Sequence, residues 1–182
     1  MRLKKKYFLI FIVFSTMFYN SVCAQDSFLD VGVRVQKTVN LYWENGFSIQ
    51  YSNRNVKPDN LYFGFSYISS RLGSAFISNA IKQDYFLLNT SWYFRKQHVL
   101  RPLVRLNVGY FVADYEESIF DVLPNTSLAI SPEAGLIVDT KSPLKIMITL
   151  GYNVITGNGE QGPGTLYPLF IQTTISWTLL RQ

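Results

Sequence analysis

Few side chains in this chain could carry out acid–base or nucleophilic chemistry, because it contains a single histidine and a single cysteine. His98 follows Arg95, Lys96 and Gln97 in a short polar segment. A general base must lie within hydrogen-bond reach of the group that it deprotonates, and this segment instead indicates a solvated histidine in a turn. No Cys/His spacing suits a zinc site. We therefore predict no catalytic residue, no metal site and no cofactor.

Two further segments offer other chemistry. Residues 156–164 are rich in glycine, but they lack the Gly-Lys-Ser/Thr sequence of a phosphate-binding loop. Acidic residues recur among apolar ones at Asp114, Glu116, Glu117 and Asp121. This acidic run is a candidate contact site for a partner or a cation, and the simpler alternative is a solvated acidic loop.

The first 24 residues have the layout of a secretory signal peptide. Three consecutive lysines precede an apolar run from Tyr7 to Tyr19, and small residues end the segment at 22–24. The apolar run is shorter than the ~20 residues that a membrane-spanning helix needs, and the valine before Cys23 disfavours a lipoprotein cut. We predict cleavage after Ala24, which leaves residues 25–182 as the mature domain and removes the only cysteine.

Charge and composition exclude two classes of protein. The signal segment holds four of the 17 basic residues and no acid, which leaves 13 basic against 12 acidic residues in the mature domain. A nucleic-acid-binding domain would keep a basic surface, so we expect no nucleic-acid partner. Hydrophobic residues make up 48% of the chain and charged residues only 16%, which argues against disorder.

Alternation of apolar and polar residues dominates the mature domain. From Leu144 to Val154 every even-numbered position is apolar, whereas the odd-numbered positions include Lys145, Thr149 and Asn153. A period of two predicts strands whose two faces meet different environments. We count eight such strands and no amphipathic helix. The other seven alternating segments are 29–36, 47–51, 61–67, 86–94, 101–112, 128–138 and 167–179.

The lengths of the connections alternate as well. Tight polar turns are predicted at 95–98 and 139–143, and long connections at 69–83, 113–127 and 155–166. If the eight strands run up and down, the long connections all fall at one end. Short periplasmic turns and long extracellular loops are typical of outer-membrane barrels. The first outer connection, at 39–45, is shorter than this rule predicts.

Aromatic residues on the apolar faces fall into two groups, one near each end of the strands. Such rings suit side chains with one apolar end and one hydrated end. A soluble β-sandwich or lipocalin-like barrel uses the same period of two, with the apolar face inside. The polar face here is poor in charge and rich in glycine and serine, which suits a narrow lumen better than a solvated surface. The predicted outer group is Trp43, Tyr67, Phe86, Tyr110, Tyr152 and Tyr167, and the inner group is Tyr51, Phe63, Trp92, Phe94 and Trp177.

A small set of charged residues lies on the face predicted to point into the lumen. Buried charges must be paired or hydrated, and an eight-stranded barrel has room for side chains but not for a wide channel. A salt-bridged plug is therefore favoured over an ion path. With Val112 opposite Leu128, Glu133 would lie near Arg105, and Asp139 would pair with Lys145 across the tight turn. The predicted lumen set is Arg34, Glu44, Arg101, Arg105, Glu133, Asp139 and Lys145.

The chain resembles the small eight-stranded outer-membrane β-barrels of the OmpX and OmpA type, over Ser27 to Arg181. The stretch Ser131-Pro132-Glu133-Ala134-Gly135-Leu136 is similar to a short sequence found in members of this family. Members usually end on an aromatic residue that the assembly machinery reads, whereas this chain ends Leu179-Leu180-Arg181-Gln182, with Trp177 as a substitute. Pro132 cannot donate to a strand ladder, so we expect a bulge or a strand start there.

We predict an all-β, eight-stranded antiparallel up-and-down transmembrane barrel. The resemblance implies outer-membrane lipid and the barrel assembly machinery as partners, and a bacterial outer-membrane location. We expect a monomer without enzymatic activity, with a largely closed lumen and outer loops for envelope support or contact. One alternative is a lipid-modifying enzyme or transport accessory, since some barrels of this kind modify lipid A with a histidine. The other is a secreted, soluble, lipocalin-like binding barrel.

Overall fold

The computed structural model describes residues 27–38, 43–53, 58, 60–72, 81–95, 98–115, 125–140, 142–156 and 169–181. The predicted signal segment lies outside these residues. Nine β-strands follow one another: β1 (Ser27–Thr38), β2 (Trp43–Asn53), β3 (Leu61–Leu72), β4 (Ile81–Tyr93), β5 (Leu100–Tyr115), β6 (Thr126–Asp139), β7 (Leu144–Tyr152), β8 (Val154–Thr156) and β9 (Leu169–Arg181).

The strands form one closed antiparallel barrel. Each strand from β1 to β6 pairs with the next one along the chain, and β9 pairs with both β7 and β1. Strands β7 and β8 are two parts of one barrel strand, because β8 continues along β6 in the register of β7. The eight-stranded up-and-down barrel predicted from the sequence is therefore confirmed.

The two faces of the wall differ as the alternation predicts. In β7, residues at even-numbered positions are exposed and those at odd-numbered positions are buried, from Leu144 to Tyr152. Large apolar side chains cover the outside, among them Leu88 at 69% exposed and Leu150 at 53%. The inside holds arginine, glutamate, glutamine and serine side chains that are 5% exposed or less. The apolar surface thus faces out of the barrel.

The strands extend further into three predicted loops than the alternation indicated. Strand β3 reaches Leu72, β4 begins at Ile81, and β5 runs to Tyr115. Pairs such as Arg71 with Lys82 and Ile81 with Tyr115 continue the ladders there. At this end the wall carries polar and charged side chains outside, so the hydrophobic alternation stops before the backbone pairing does.

Pro132 lies inside β6 without a bulge and without starting a strand, so both expectations for it were wrong. The residues on either side keep one register with the facing strand, with Glu133 opposite Gly151 and Ile130 opposite Val154. No ladder pairs form between these two positions, and this gap separates β7 from β8. Proline supplies no N–H to a ladder, and the local interruption is the result. The bulge in the described wall lies elsewhere, between β1 and β9 at Leu29 and Asp30.

Glycine on the inner face allows adjacent strands to approach closely. A Cβ atom on Gly109 would lie 1.9 Å from the carbonyl oxygen of Phe86 on β4. A Cβ on Gly135 would lie 2.0 Å from the carbonyl oxygen of Ile148 on β7. Glycines within strands mark such approaches and bends in barrels. The small inner residues therefore shape the wall as well as leaving room in the lumen.

Candidate functional site in the barrel lumen

The centre of the lumen is a buried cluster around Glu133. Its Oε1 atom accepts a hydrogen bond from Arg34 Nη2 at 2.6 Å and another from Asn107 Nδ2 at 2.8 Å. Its Oε2 atom accepts a hydrogen bond from Thr149 Oγ1 at 2.9 Å. The side chains of Arg34 and Glu133 are both fully buried. Each carboxylate oxygen thus has a donor, as a buried charge requires.

Arg105 is the second cation of this cluster. It lies directly opposite Glu133 in the β5–β6 ladder, with Nη1 3.9 Å from Glu133 Oε2. The predicted register was two residues wrong, since Val112 lies opposite Thr126 and Leu128 opposite Tyr110. The strands extend beyond the segments in which apolar and polar residues alternate. The ends of those segments therefore did not indicate which residues of β5 and β6 face each other. Arg105 Nε also donates to Ser91 Oγ at 2.8 Å.

Two more ion pairs occupy the inner end of the lumen, where β1 begins and β9 ends. Lys145 Nζ binds Asp30 Oδ2 at 2.6 Å, and Arg101 Nη1 binds Asp139 Oδ2 at 2.7 Å. The predicted pair of Asp139 with Lys145 was therefore wrong, although the two are register partners. Asp30, at 3% exposed, was absent from the predicted lumen set. Its place in the alternation of β1 was visible, but its partner lies on β7, 115 positions away.

Glu44 lies towards the outer end of the lumen and is 1% exposed. Gln36 Nε2 donates a hydrogen bond to Glu44 Oε2. Among the described ion pairs none involves Glu44, and its described hydrogen-bond partner is the amide of Gln36. Six residues of the predicted lumen set are 7% exposed or less, and Asp139 is partly exposed. Their contacts form separate groups and not one network.

Two apolar layers inside the lumen were not predicted as part of the site. The outer apolar layer consists of Ile68, Tyr85, Leu87, Phe111, Ala113 and Ala129. The inner apolar layer consists of Tyr62, Tyr93, Leu103, Ile137 and Met147. Tilted ring contacts help to hold them, with centroids 5.1 Å apart for Tyr85 and Phe111 and 4.3 Å apart for Tyr62 and Tyr93. The sequence did carry a signal for these layers, namely apolar residues on the strand faces that were predicted to be polar.

The predicted acidic run is only partly described. Asp114 lies at the outer end of β5 and forms an ion pair with Lys82 at 3.5 Å. Glu116, Glu117 and Asp121 lie outside the described residues, as does most of the glycine-rich segment. On the outer face nearby, Tyr67 Oη donates to Asp84 Oδ1 at 2.9 Å, and Arg71 Nη2 donates to Asp84 Oδ2 at 3.1 Å.

His98 is exposed, in the turn between β4 and β5 at the inner end of the barrel. Its backbone N–H donates to the carbonyl oxygen of Arg95, which adopts a positive φ of 51°. Within the described part of the chain, no group of three or more His, Cys, Asp or Glu residues could hold a metal ion. No helix there is long and apolar enough to cross a membrane.

Three solved structures of outer-membrane or designed barrels share this fold. The N-terminal β-barrel domain of Pseudomonas aeruginosa OprF aligns with a TM-score of 0.59 and 14% identity, over 85% of this chain and 98% of that one. Ail, the attachment invasion locus protein of Yersinia pestis, aligns with a TM-score of 0.51 and 14% identity, over 84% and 95%. A de novo designed transmembrane β-barrel aligns with a TM-score of 0.53 and 11% identity, over 84% and 95%.

Sequence comparison adds no relative to these. No protein-family description matches the chain, and no curated protein matches it at a significant level. At such low identities the structural likeness concerns the fold alone. The chain has the fold of small eight-stranded outer-membrane β-barrels, as the resemblance in the sequence implied.

Proposed function

We propose that the protein is a monomeric integral barrel of the bacterial outer membrane, without catalytic activity. A cleaved signal peptide exports it and the barrel assembly machinery inserts it. Its lumen is closed by side chains, and its outer loops make contacts or support the envelope. The apolar exterior supports the membrane location, because a closed barrel can cross a bilayer with all of its strands paired.

The observation that best supports a closed lumen is the Arg34–Glu133 ion pair, which joins β1 to β6 through the interior of the barrel. These strands lie on different sides of the barrel and do not pair with each other. The outer apolar layer lies on one side of this pair along the axis and the inner apolar layer on the other. Eight-stranded barrels have interiors that side chains can fill. These three groups of side chains support the proposal that the lumen has no open path for ions.

The membrane location is tested by fractionating cells that express the full chain, with and without detergent. We expect the protein in the membrane fraction, soluble only in detergent, and with a different gel mobility before and after boiling. Recovery of a folded, detergent-free monomer from the periplasm would contradict the location and would favour the soluble lipocalin-like alternative.

The closed lumen is tested by conductance in planar bilayers. We expect no steady channels from the wild type. A widened variant with Arg34→Ala, Leu103→Ala and Phe111→Ala, which loses bulk at all three levels, should conduct. Heat-dependent gel mobility would show that this variant still forms a barrel. Wild-type channels as large as those of the widened variant would rule out a closed lumen.

The absence of catalysis is tested at His98, the only histidine of the chain. Barrels that modify lipid A act in the outer leaflet, whereas this turn lies at the inner end, where β1 begins and β9 ends. We expect His98→Ala to leave the mass spectrum of lipid A unchanged. A difference between the lipid A of cells with the wild type and with the variant would favour the enzyme alternative.

A further inference from the structure

Four inward side chains form a continuous row near the outer end of the lumen, on β9, β1, β2 and β3. Gln172 lies opposite Gln36, Gln36 lies opposite Glu44, and Glu44 lies opposite Ser70. All four residues are 1% exposed or less. We call this set the outer oxygen row: Gln172, Gln36, Glu44 and Ser70.

Each member of the outer oxygen row has a buried oxygen atom without a hydrogen-bond donor. These atoms are Gln172 Oε1, Gln36 Oε1, Glu44 Oε1 and Ser70 Oγ. One N–H of each glutamine amide is already engaged, since Gln36 Nε2 donates to Glu44 and Gln172 Nε2 donates to Thr174 Oγ1. The row therefore presents an excess of acceptors, which is costly unless something satisfies them.

Elsewhere among the described side chains, the buried atoms without a partner are three donors, Arg34 Nε, Arg101 Nε and Arg105 Nη1, and two acceptors, Asn60 Oδ1 and Asn107 Oδ1. Among the described residues, unpartnered oxygens follow one another from strand to strand in the outer oxygen row. Gln50, on the same strand as Glu44, is bound at both ends of its amide, with Nε2 donating to Ser91 and Oε1 accepting from Tyr93. Arg34 is two residues from Gln36 on β1, but its two terminal nitrogens donate to Ser66 and Glu133. The terminal nitrogens of this guanidinium thus bind outside the row, and its Nε has no hydrogen-bond partner in the row or elsewhere among the described residues.

We propose that the outer oxygen row binds a hard divalent cation, with Ca²⁺ as the best match. One carboxylate, amide oxygens and a hydroxyl are the oxygen ligands that this class of ion takes, and water completes the shell. Ca²⁺ tolerates irregular geometry, whereas Mg²⁺ requires a near-octahedral site. With one carboxylate, the expected dissociation constant is in the range of about 10⁻⁴–10⁻³ M. The row lies within three residues of the outer ends of the strands that carry it.

The test uses the full mature barrel, refolded without lipopolysaccharide in an uncharged detergent. Calcium chloride is titrated against choline chloride at equal ionic strength, and binding heat and the thermal unfolding midpoint are measured. We expect a saturable rise of the midpoint in the wild type and at least about tenfold weaker binding in Glu44→Gln, which keeps the shape of the side chain. Gln172→Met removes a second ligand and should also weaken binding. Gln50→Met is the matched control and should bind as the wild type does.

Surface carboxylates are a competing source of calcium binding. A loop variant with Asp114→Asn, Glu116→Gln, Glu117→Gln and Asp121→Asn separates them from the lumen, and it should keep the calcium response. Loss of the response in the loop variant, with Glu44→Gln unaffected, would overturn the proposal. It would also be overturned if the wild type showed no calcium response, which would mean that water or a proton satisfies the row.

Discussion

Arg34 on β1 and Glu133 on β6 bind each other across the barrel lumen, with Nη2 and Oε1 2.6 Å apart. Neither strand pairs with the other in the wall. The contact therefore ties the two sides of the barrel through its interior, with Arg105 alongside as a second cation 3.9 Å from the same carboxylate. Two arginines share one glutamate, and this unequal arrangement determines how substitutions should behave.

Glu133→Gln should lower the free energy of unfolding substantially, because it leaves two buried guanidinium groups without their counter-charge. Loss of one partner of a buried ion pair costs ~3–5 kcal/mol when the other stays dry. Arg34→Met in the Glu133→Gln background should restore part of the loss, with a coupling of about 0.5–3 kcal/mol. Urea unfolding of the four proteins in detergent measures this cycle. Additive effects would show that the two side chains do not interact.

The inner ion pairs can be assigned by a second comparison. Asp30→Asn and Lys145→Met should be non-additive, since Lys145 Nζ lies 2.6 Å from Asp30. Asp139→Asn should instead couple to Arg101→Met, its partner at 2.7 Å. Asp139 is a register partner of Lys145, so coupling between these two is the competing result. The Asp139 pair should contribute less, because the Asp139 side chain is 23% exposed and water screens it.

The wall itself is tested at Gly109. An added Cβ would lie 1.9 Å from the carbonyl oxygen of Phe86, so Gly109→Ala requires the backbones of β4 and β5 to move apart. We expect a loss of stability of about 1–3 kcal/mol, as for overpacked interiors, or failure to refold. Val108→Ala, on the outer face next to it, is the control and should refold with its barrel intact. The urea midpoint of folded protein, identified by gel mobility, measures both. Unchanged stability in Gly109→Ala would show that the strands are not so close.

The sequence predicted the barrel well because alternation is a local property. Leu144 to Val154 alternate whatever their partners are, so the strand and its outward face could be read directly. Partners inside the lumen could not, because they depend on register and on the shear of the closed barrel. Glu133 finds Arg34 at a separation of 99 residues, and Lys145 finds Asp30 at 115. No local pattern in the sequence indicates which residues so far apart in the chain will pair.

The apolar layers were missed for a related reason. Phe111 and Leu103 lie on the face of β5 that also carries Arg105 and Asn107, and each looked like an irregularity in a polar face. Tyr85 and Phe111 are register partners on β4 and β5, and Tyr62 contacts Tyr93 on the neighbouring strand, so these contacts follow from the pairing of strands and not from spacing within one strand. Pro132 led to a different error. The sequence shows that it has no N–H group, but the ladder keeps one register on both sides of a local gap, which we did not expect.

The last prediction concerns what covers the outer surface. Leu106 lies in the middle of β5 with its side chain 48% exposed on the outer face. If this face contacts lipid, Leu106→Lys places a charge near the bilayer midplane, which costs about 2–4 kcal/mol in a transmembrane barrel. Val99 is 57% exposed, but it lies at the inner turn, close to the membrane surface. There Val99→Lys should cost only about 0–1 kcal/mol.

Reversible unfolding in lipid vesicles measures both variants against the wild type. In a soluble barrel the two substitutions would exchange exposed apolar groups for solvated charges, and both would be nearly neutral. Equal, small effects would therefore contradict a lipid-facing wall, whereas a large loss at Leu106 alone requires one.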